Sequence, residues 1–343
     1  MITRQRAYAR VGFVGNPSDG YHGKTIAFTI GDFFAEVTLY ESPELELRPG
    51  PQDHAVFGSM EDLVDSVNRT GYYGGVRLLK AAIRKFEEYC RQHEVDLPRR
   101  NFTLRYTTSI PRQVGLGGSS AIITAVMRGL MAFFEVEIPD QILPNVVLSA
   151  ETEELGLTAG LQDRVIQAYG GLVFMDFGRD HVAEHGFGRY ERLDLELLPP
   201  VYLAYRPDLS KESSTAHIHV RELYEMGDHE VVRTMSEIAS LAEIARVLLR
   251  AGDHEELARI MDRNFDLRAR IYQIREADRK MVETARSVGA SCKFCGSGGA
   301  VVGTYADDEM RARLQEAMEG AGYRFVVPQP VNNEPKAEFT VDR

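Results

Sequence analysis

Three cysteines, no long apolar run and no surplus of positive charge narrow this 343-residue chain before any motif is read. Cys90, Cys292 and Cys295 are odd in number and too few for a disulfide framework, so a reduced, cytoplasmic setting is expected. The most apolar stretch, Ala121 to Phe134, is interrupted by Arg128 and reads as a buried helix rather than a membrane span. The early arginines of "MITRQRAYARVGFVG" are not followed by the apolar segment of a signal peptide. With 51 acidic residues against 40 lysines and arginines, the net charge is −11, which argues against nucleic acid or an anionic membrane as the main partner. Any anion must therefore be held by local cations or backbone amides. What remains is 44% apolar and 27% charged, a globular composition on a chain long enough for two packed domains.

Apolar alternation and β-branched content predict strands over Tyr8–Gly15, Thr25–Tyr40 and Asn101–Ile110. Helical spacing predicts a helix within residues 60–92, with Leu78, Leu79, Ala82, Ile83 and Phe86 on its apolar face. Another is expected from about Ala121 to Phe134, then two more stopped by Gly156 and by Gly170-Gly171. A variable, polar stretch over 178–194 leads into a fresh strand, "VYLAYRP", so the chain is divided into domains 1–190 and 191–343. The second part is expected to hold two long amphipathic helices (about 214–250 and 254–288), "SCKFCGSGGAVVGTYA", a helix to about Gly320 and "YRFVVPQPV". That β-α-α-β-α-β order predicts a small split βαβ sheet and an α+β chain of two α/β sandwich-like domains.

Between the third strand and its helix lies "GLGGSS", Gly115 to Ser120. One reading is a tight turn before a helix. The other is an anion cradle, in which glycines let backbone N–H groups face a phosphate and the helix N-terminus adds its partial charge. A Rossmann fingerprint fits poorly, because Ser120 stands where Gly or Ala is wanted and "PRQV" separates the loop from its strand. A P-loop at "SDGYHGKT" fits at Lys24 and Thr25 but has Ser18 at the first glycine position and strand-like sequence after it.

A third reading gathers three separated segments, "ARVGFVGNPSDGYHGK", "PRQVGLGGSSA" and "KFCGSGGAVVG", into one site. This arrangement resembles the GHMP kinases. Their second motif, P-x3-G-L-G-S-S-A, is matched in register by Pro111, Gly115, Leu116, Gly117 and Ser119, with its alanine one place late at Ala121. Gly118 and Ser120 depart from it, which leaves open which serine meets a metal. Their third, glycine-rich motif is matched by Gly296, Ser297, Gly298 and Gly299. Within that superfamily, "GYYGGVRLL", "AGLQDRVIQAYGGLV" and "RNFDLRARI" are similar to the glucuronokinase branch.

The resemblance implies an N-terminal βαβ nucleotide-binding domain and a C-terminal ferredoxin-like domain. It implies an ATP- and Mg²⁺-dependent kinase for the anomeric hydroxyl of D-glucuronate, acting as a monomer or homodimer on a small sugar acid and a nucleotide. Galacturonate, galactose or a heptose phosphate remain alternative substrates, and an inactive nucleotide-binding module is the alternative from another class. By motif position, the N–H groups of Gly115 to Ser120 hold the nucleotide phosphates, with Gly296, Ser297 and Gly298 beside them. Ser119 and Glu151 are the implied Mg²⁺ ligands, and Asp163 the implied base. Arg10 is placed to polarise the attacking oxygen or neutralise the phosphoryl group, while Asn16 and Asp19 face the sugar.

Plainer roles stay open for each: a solvated helix glutamate for Glu151, a first-turn aspartate for Asp163, an exposed strand-start arginine for Arg10 and a turn residue for Asp19. Glu153 and Glu154 are expected to be solvated. A uronate also needs a cation for its carboxylate, and Lys24, then Arg164 and Lys211, are the candidates. Cys292 and Cys295 have half-zinc spacing without a second pair, and His217 and His219 share no helix face, so all four are expected to be structural.

Overall fold

One strand organises the first half of the chain. In the computed structural model, which describes residues 2–50, 53, 59, 60, 62, 74–207 and 215–333, Lys24–Glu41 forms a single strand, β2, where the sequence suggests several. Strand β1 (Ile2–Val14) runs antiparallel to β2, with a register shift between Tyr8 and Ala9 that leaves Gly31 to Phe33 out of the ladder. Strand β4 (Phe102–Thr108) pairs with the C-terminal half of β2 and β5 (Leu172–Asp176) with its beginning. The edges are β3 (Glu46–Arg48), parallel to β4, and β6 (Arg189–Leu193), antiparallel to β5. The parallel pair β3 and β4 is joined through helix α1 (Gly75–Gln92), which makes the expected βαβ unit. The rest of the helix expected from residue 60 falls mostly outside the described residues.

Helix α2 (Gly118–Phe134) is apolar on nearly every side and is covered accordingly by β1, β2, α1, α3 (Leu143–Thr152) and α4 (Gln162–Tyr169). Its one charge, Arg128, donates to the carbonyls of Arg6, Gln167 and Ala168, so it serves the open C-terminal end of α4. Burial lowers the pKa of that guanidinium to about 10. Among the described residues no helix is long and apolar enough to cross a membrane. Gly156, Gly170 and Gly171 all have positive φ; Gly170 caps α4 as expected, whereas α3 already closes on Glu153, ahead of Gly156.

The polar stretch 178–194 holds a short helix, α5 (Arg179–His185), and strand β6, neither of which the sequence pattern announced. The change of sheet falls between Leu193 and Val201. The second sheet has the order β10-β7-β9-β8, built from β7 (Val201–Tyr205), β8 (Lys293–Phe294), β9 (Ala300–Thr304) and β10 (Arg324–Val326), all neighbours antiparallel. This is the ferredoxin-like arrangement. Its two expected long helices are each divided. Gly227 at φ 78° and the N-cap Asp228 separate α6 (Thr215–Glu225) from α7 (His229–Ala251). Extended backbone at Tyr272 and Arg275 separates α8 (His254–Ile271) from α9 (Glu276–Ser287), and α10 (Asp308–Gly320) follows β9. After β10 the chain returns to the first sheet, where Gly31 N–H donates to Gln329 and Val331 N–H to Thr29.

Candidate active site

Four distant segments meet at Arg10. From the middle of β1 its Nε donates to Asp163 Oδ1 at 2.7 Å, and Nη2 lies 2.7 Å from the same oxygen. Its Nη1 donates to the carbonyls of Gly115, at 2.9 Å, and Cys295. One guanidinium therefore ties β1 to the "GLGGSS" loop, to the first turn of α4 and to the third glycine loop. Arg10 is buried rather than the exposed strand-start residue considered from the sequence, and what it neutralises in this arrangement is Asp163. Burial alone would raise the Asp163 carboxyl; Arg10 and Arg164 override that and hold it below the ordinary carboxylate range.

The glycines answer to the same crowding. Gly115 and Gly117 both sit at φ 72°, a region that disfavours side chains. A Cβ on Gly117 would come within 3.4 Å of Asp163 Oδ2, and one on Gly296 would come 2.4 Å from the Gly115 carbonyl oxygen and 2.8 Å from Arg10 Nη1. The second and third loops thus pack directly on each other, with Pro111 half-buried and Leu116 and Ala121 buried behind them. Helix α2 begins at Gly118, earlier than expected, so Ser119 and Ser120 lie in its first turn. No side chain caps that turn, which leaves its leading N–H groups suited to phosphate oxygens.

The two serines part company there. Ser120 is fully buried and donates to the Gly117 carbonyl at 3.0 Å. Ser119 donates to Glu151 Oε1 at 2.6 Å. Glu151 is 1% exposed, not solvated, and its other oxygen takes Arg164 Nε at 2.7 Å and Nη2. Ser119 Oγ and Glu151 Oε1 offer the hard oxygen pair that Mg²⁺ accepts when phosphates and water complete its shell. Among the described residues no group of three or more His, Cys, Asp or Glu side chains assembles for a metal. Glu153 and Glu154 lie apart, paired with Lys85 and Arg84.

Asp19 lies beside Asp163. Burial first, then the negative charge of Asp163, raise its pKa to about 6 against the pull of Arg10, and the Gln162 N–H donates to it. The remaining sugar-side candidates are otherwise engaged. Asn16 is buried, donating to the Phe294 carbonyl at 3.2 Å and accepting from Lys293. Lys24 Nζ bonds Glu243 at 2.6 Å and lies 3.6 Å from Asp176. Arg164, besides Glu151, donates to the Gly160 carbonyl at 2.7 Å. Lys211 lies outside the described residues. Cys292 and Cys295 are buried, free thiols pushed up to about 12 by burial, and His219 is exposed.

Two buried cations next to this site escaped the sequence reading. Lys293 donates to the Gly12 carbonyl at 3.0 Å, to Asn16 Oδ1 and to the Phe294 carbonyl at 2.8 Å, and burial lowers its pKa to about 7. Arg268 is 3% exposed and donates to the carbonyls of Gly296, at 2.7 Å, and Ser297. A signal for Arg268 existed. Leu257, Ile260, Met261, Phe265 and Leu267 mark the buried stripe of α8, and Arg268 falls on it, one turn after Asn264.

The profile of the GHMP kinases N terminal domain matches residues 77–171 and that of the GHMP kinases C terminal domain matches 245–324. Glucuronokinase 1 of Arabidopsis thaliana is 45% identical over 96% of this chain and 92% of its own length. Probable glucuronokinase 2 of the same plant is 45% identical over 92% of this chain and 87% of its own. Lactococcus lactis galactokinase, solved with galactose, superposes with a TM-score of 0.78 at 16% identity, covering 98% of this chain and 95% of that one. Methanococcus jannaschii mevalonate kinase superposes with 0.71 at 18% identity over 97% and 98%.

Proposed function

Because the chain belongs to the GHMP kinase family, we propose that it is an ATP-dependent kinase that phosphorylates the anomeric hydroxyl of D-glucuronate. The observation that carries the chemistry is the Arg10–Asp163 pair set against the uncapped first turn of α2. Arg10 occupies Asp163 Oδ1, so Oδ2 is the oxygen available to the sugar hydroxyl. Held ionised, Asp163 accepts the hydroxyl proton as the anomeric oxygen bonds to the γ-phosphorus and the bridging bond to ADP breaks. The leading amides of α2 receive charge on the phosphate oxygens. Bound Mg²⁺ supplies charge neutralisation at those phosphates, and Ser119 and Glu151 are the residues that would hold it. Asp19, on the turn before β2, takes a sugar hydroxyl.

The substrate rests on the two plant relatives, which carry the name glucuronokinase and match almost end to end. The test is ADP release over a panel of uronates and neutral sugars, with the product identified by phosphorus NMR. Turnover of glucuronate to its 1-phosphate is expected. Turnover confined to neutral sugars overturns the substrate, and phosphate on any hydroxyl other than the anomeric one overturns the reaction.

A further inference from the structure

A uronate brings a negative charge next to Asp19 and Asp163, whose carboxylates repel it. Some cation must receive that charge, since an unpaired buried carboxylate costs several kcal/mol. Lys24 already faces Glu243 and Asp176, and Arg164 is committed to Glu151 and Gly160. Arg10 is filled by Asp163 and two carbonyls. Arg268 differs from all of these: among the described residues its hydrogen-bond partners are the Gly296 and Ser297 carbonyls, and its buried Nε has none.

Arg268 lies close enough to the Asp19 turn to feel its charge. Its guanidinium lies 5.2 Å from the ring centre of Tyr272 and 5.1 Å from that of Phe294. The Tyr272 hydroxyl is 3.0 Å from that of Tyr21, two residues after Asp19. On the other flank, Gly296 touches Arg10 and the Gly115 carbonyl. Arg268 is therefore held between the turn that carries Asp19 and the loop that meets Arg10. A guanidinium with spare N–H groups in a plane matches the two oxygens of a carboxylate, and stacking on aromatic rings fixes that plane.

We infer that Arg268 receives the carboxylate of the sugar acid and sets the preference for a uronate over a neutral hexose. This rests on the substrate proposed above and adds the group that selects it. The experiment compares wild type with Arg268→Lys and Arg268→Gln, measuring kcat/KM for D-glucuronate and D-glucose together with the KM for ATP. Both variants are expected to lose roughly 10²-fold or more in the glucuronate-to-glucose ratio while the KM for ATP stays within about threefold. Arg268→Lys keeps the buried charge but not the fork, so its loss reports the bidentate grip. A ratio unchanged in both variants, or a KM for ATP that rises while the ratio holds, overturns the inference and makes Arg268 a support for the nucleotide loop. A wild type without preference for glucuronate instead overturns the substrate proposal, and this inference with it. Should the variants fail to fold, a crystal structure of the wild type with glucuronate decides. A carboxylate about 3 Å from the Arg268 guanidinium supports the inference, and a carboxylate held elsewhere overturns it.

Discussion

Replacing Asp19 by asparagine should make the protein more stable and the enzyme worse. The folded-state pKa of Asp19 is about 6, against 3.8 for an unperturbed aspartate, because it is buried next to ionised Asp163. A carboxyl whose pKa is raised by folding opposes folding once ionised. The cost is absent below the unfolded pKa, grows as pH rises and is complete above the folded pKa. A shift of roughly two units corresponds to about 3 kcal/mol, at about 1.4 kcal/mol per unit. Asparagine keeps the shape, still accepts from the Gln162 N–H and cannot ionise. Asp19→Asn is therefore expected to exceed wild type above pH 7 by about 1–3 kcal/mol, with the advantage vanishing towards pH 4. The charged acceptor for a sugar hydroxyl is lost at the same time, so kcat/KM should fall about 10²-fold. Urea unfolding of both proteins at pH 5, 6, 7 and 8 measures the first effect and steady-state kinetics the second. A stability difference that does not change with pH, or a wild type that is the more stable at pH 8, refutes the reasoning.

Asp163→Asn should lower kcat by about 10²- to 10⁴-fold with ATP affinity nearly intact, as read by steady-state rates and nucleotide titration; full kcat would rule out Asp163 as the base. Because the Asp163 pKa is lowered, its charge stabilises the fold above the ordinary carboxylate pKa and is lost only in stronger acid, so any acid limb near pH 6 in kcat/KM should belong to Asp19 and disappear in Asp19→Asn. Ser119→Ala should raise the Mg²⁺ concentration needed for half-maximal rate, and Ser120→Ala should instead lower the melting temperature, since its hydroxyl serves only the Gly117 carbonyl. Lys24→Met should leave the glucuronate-to-glucose ratio within about threefold of wild type, given its engagement by Glu243 and Asp176; a collapse of that ratio would return Lys24 to the site.

The parts of this molecule that announce themselves in sequence are those fixed by local rules. Alternation over residues 102–108 yields β4, an apolar stretch from residue 118 yields α2, and Gly170 at positive φ ends α4. Motif position alone names Ser119, Glu151 and Asp163; in the fold Asp163 meets Arg10 and Ser119 meets Glu151. Where a local rule was under-weighted, the outline slipped. Gly227 with Asp228 is a stop followed by an N-cap, and it divides into α6 and α7 a stretch whose apolar spacing alone reads as one helix.

Charge partnership is a different kind of information, because the partner stands at no fixed distance in sequence. Lys24 looked available beside Asp19, yet its mate is Glu243 on α7, 219 residues away. Arg164 follows the base directly, yet its helix turns it onto Glu151, and Asn16 turns back onto Lys293 and Phe294. In each case an exposed-looking polar residue is used up by a neighbour that only the fold supplies. The converse holds for Arg268. A guanidinium on the apolar stripe of α8 looks misplaced in sequence, and its lack of a carboxylate becomes visible only when the glycine loop closes over it with two carbonyls. An acidic protein of net charge −11 that buries Arg268 and Lys293 with no carboxylate among the described residues bonded to either gives up solvation for both cations. Such a cost is tolerated where a ligand restores the balance. Buried Arg128 is satisfied by the carbonyls it closes off at the end of α4, whereas Arg268 keeps an Nε without a partner among the described residues, and it is there that substrate chemistry is read.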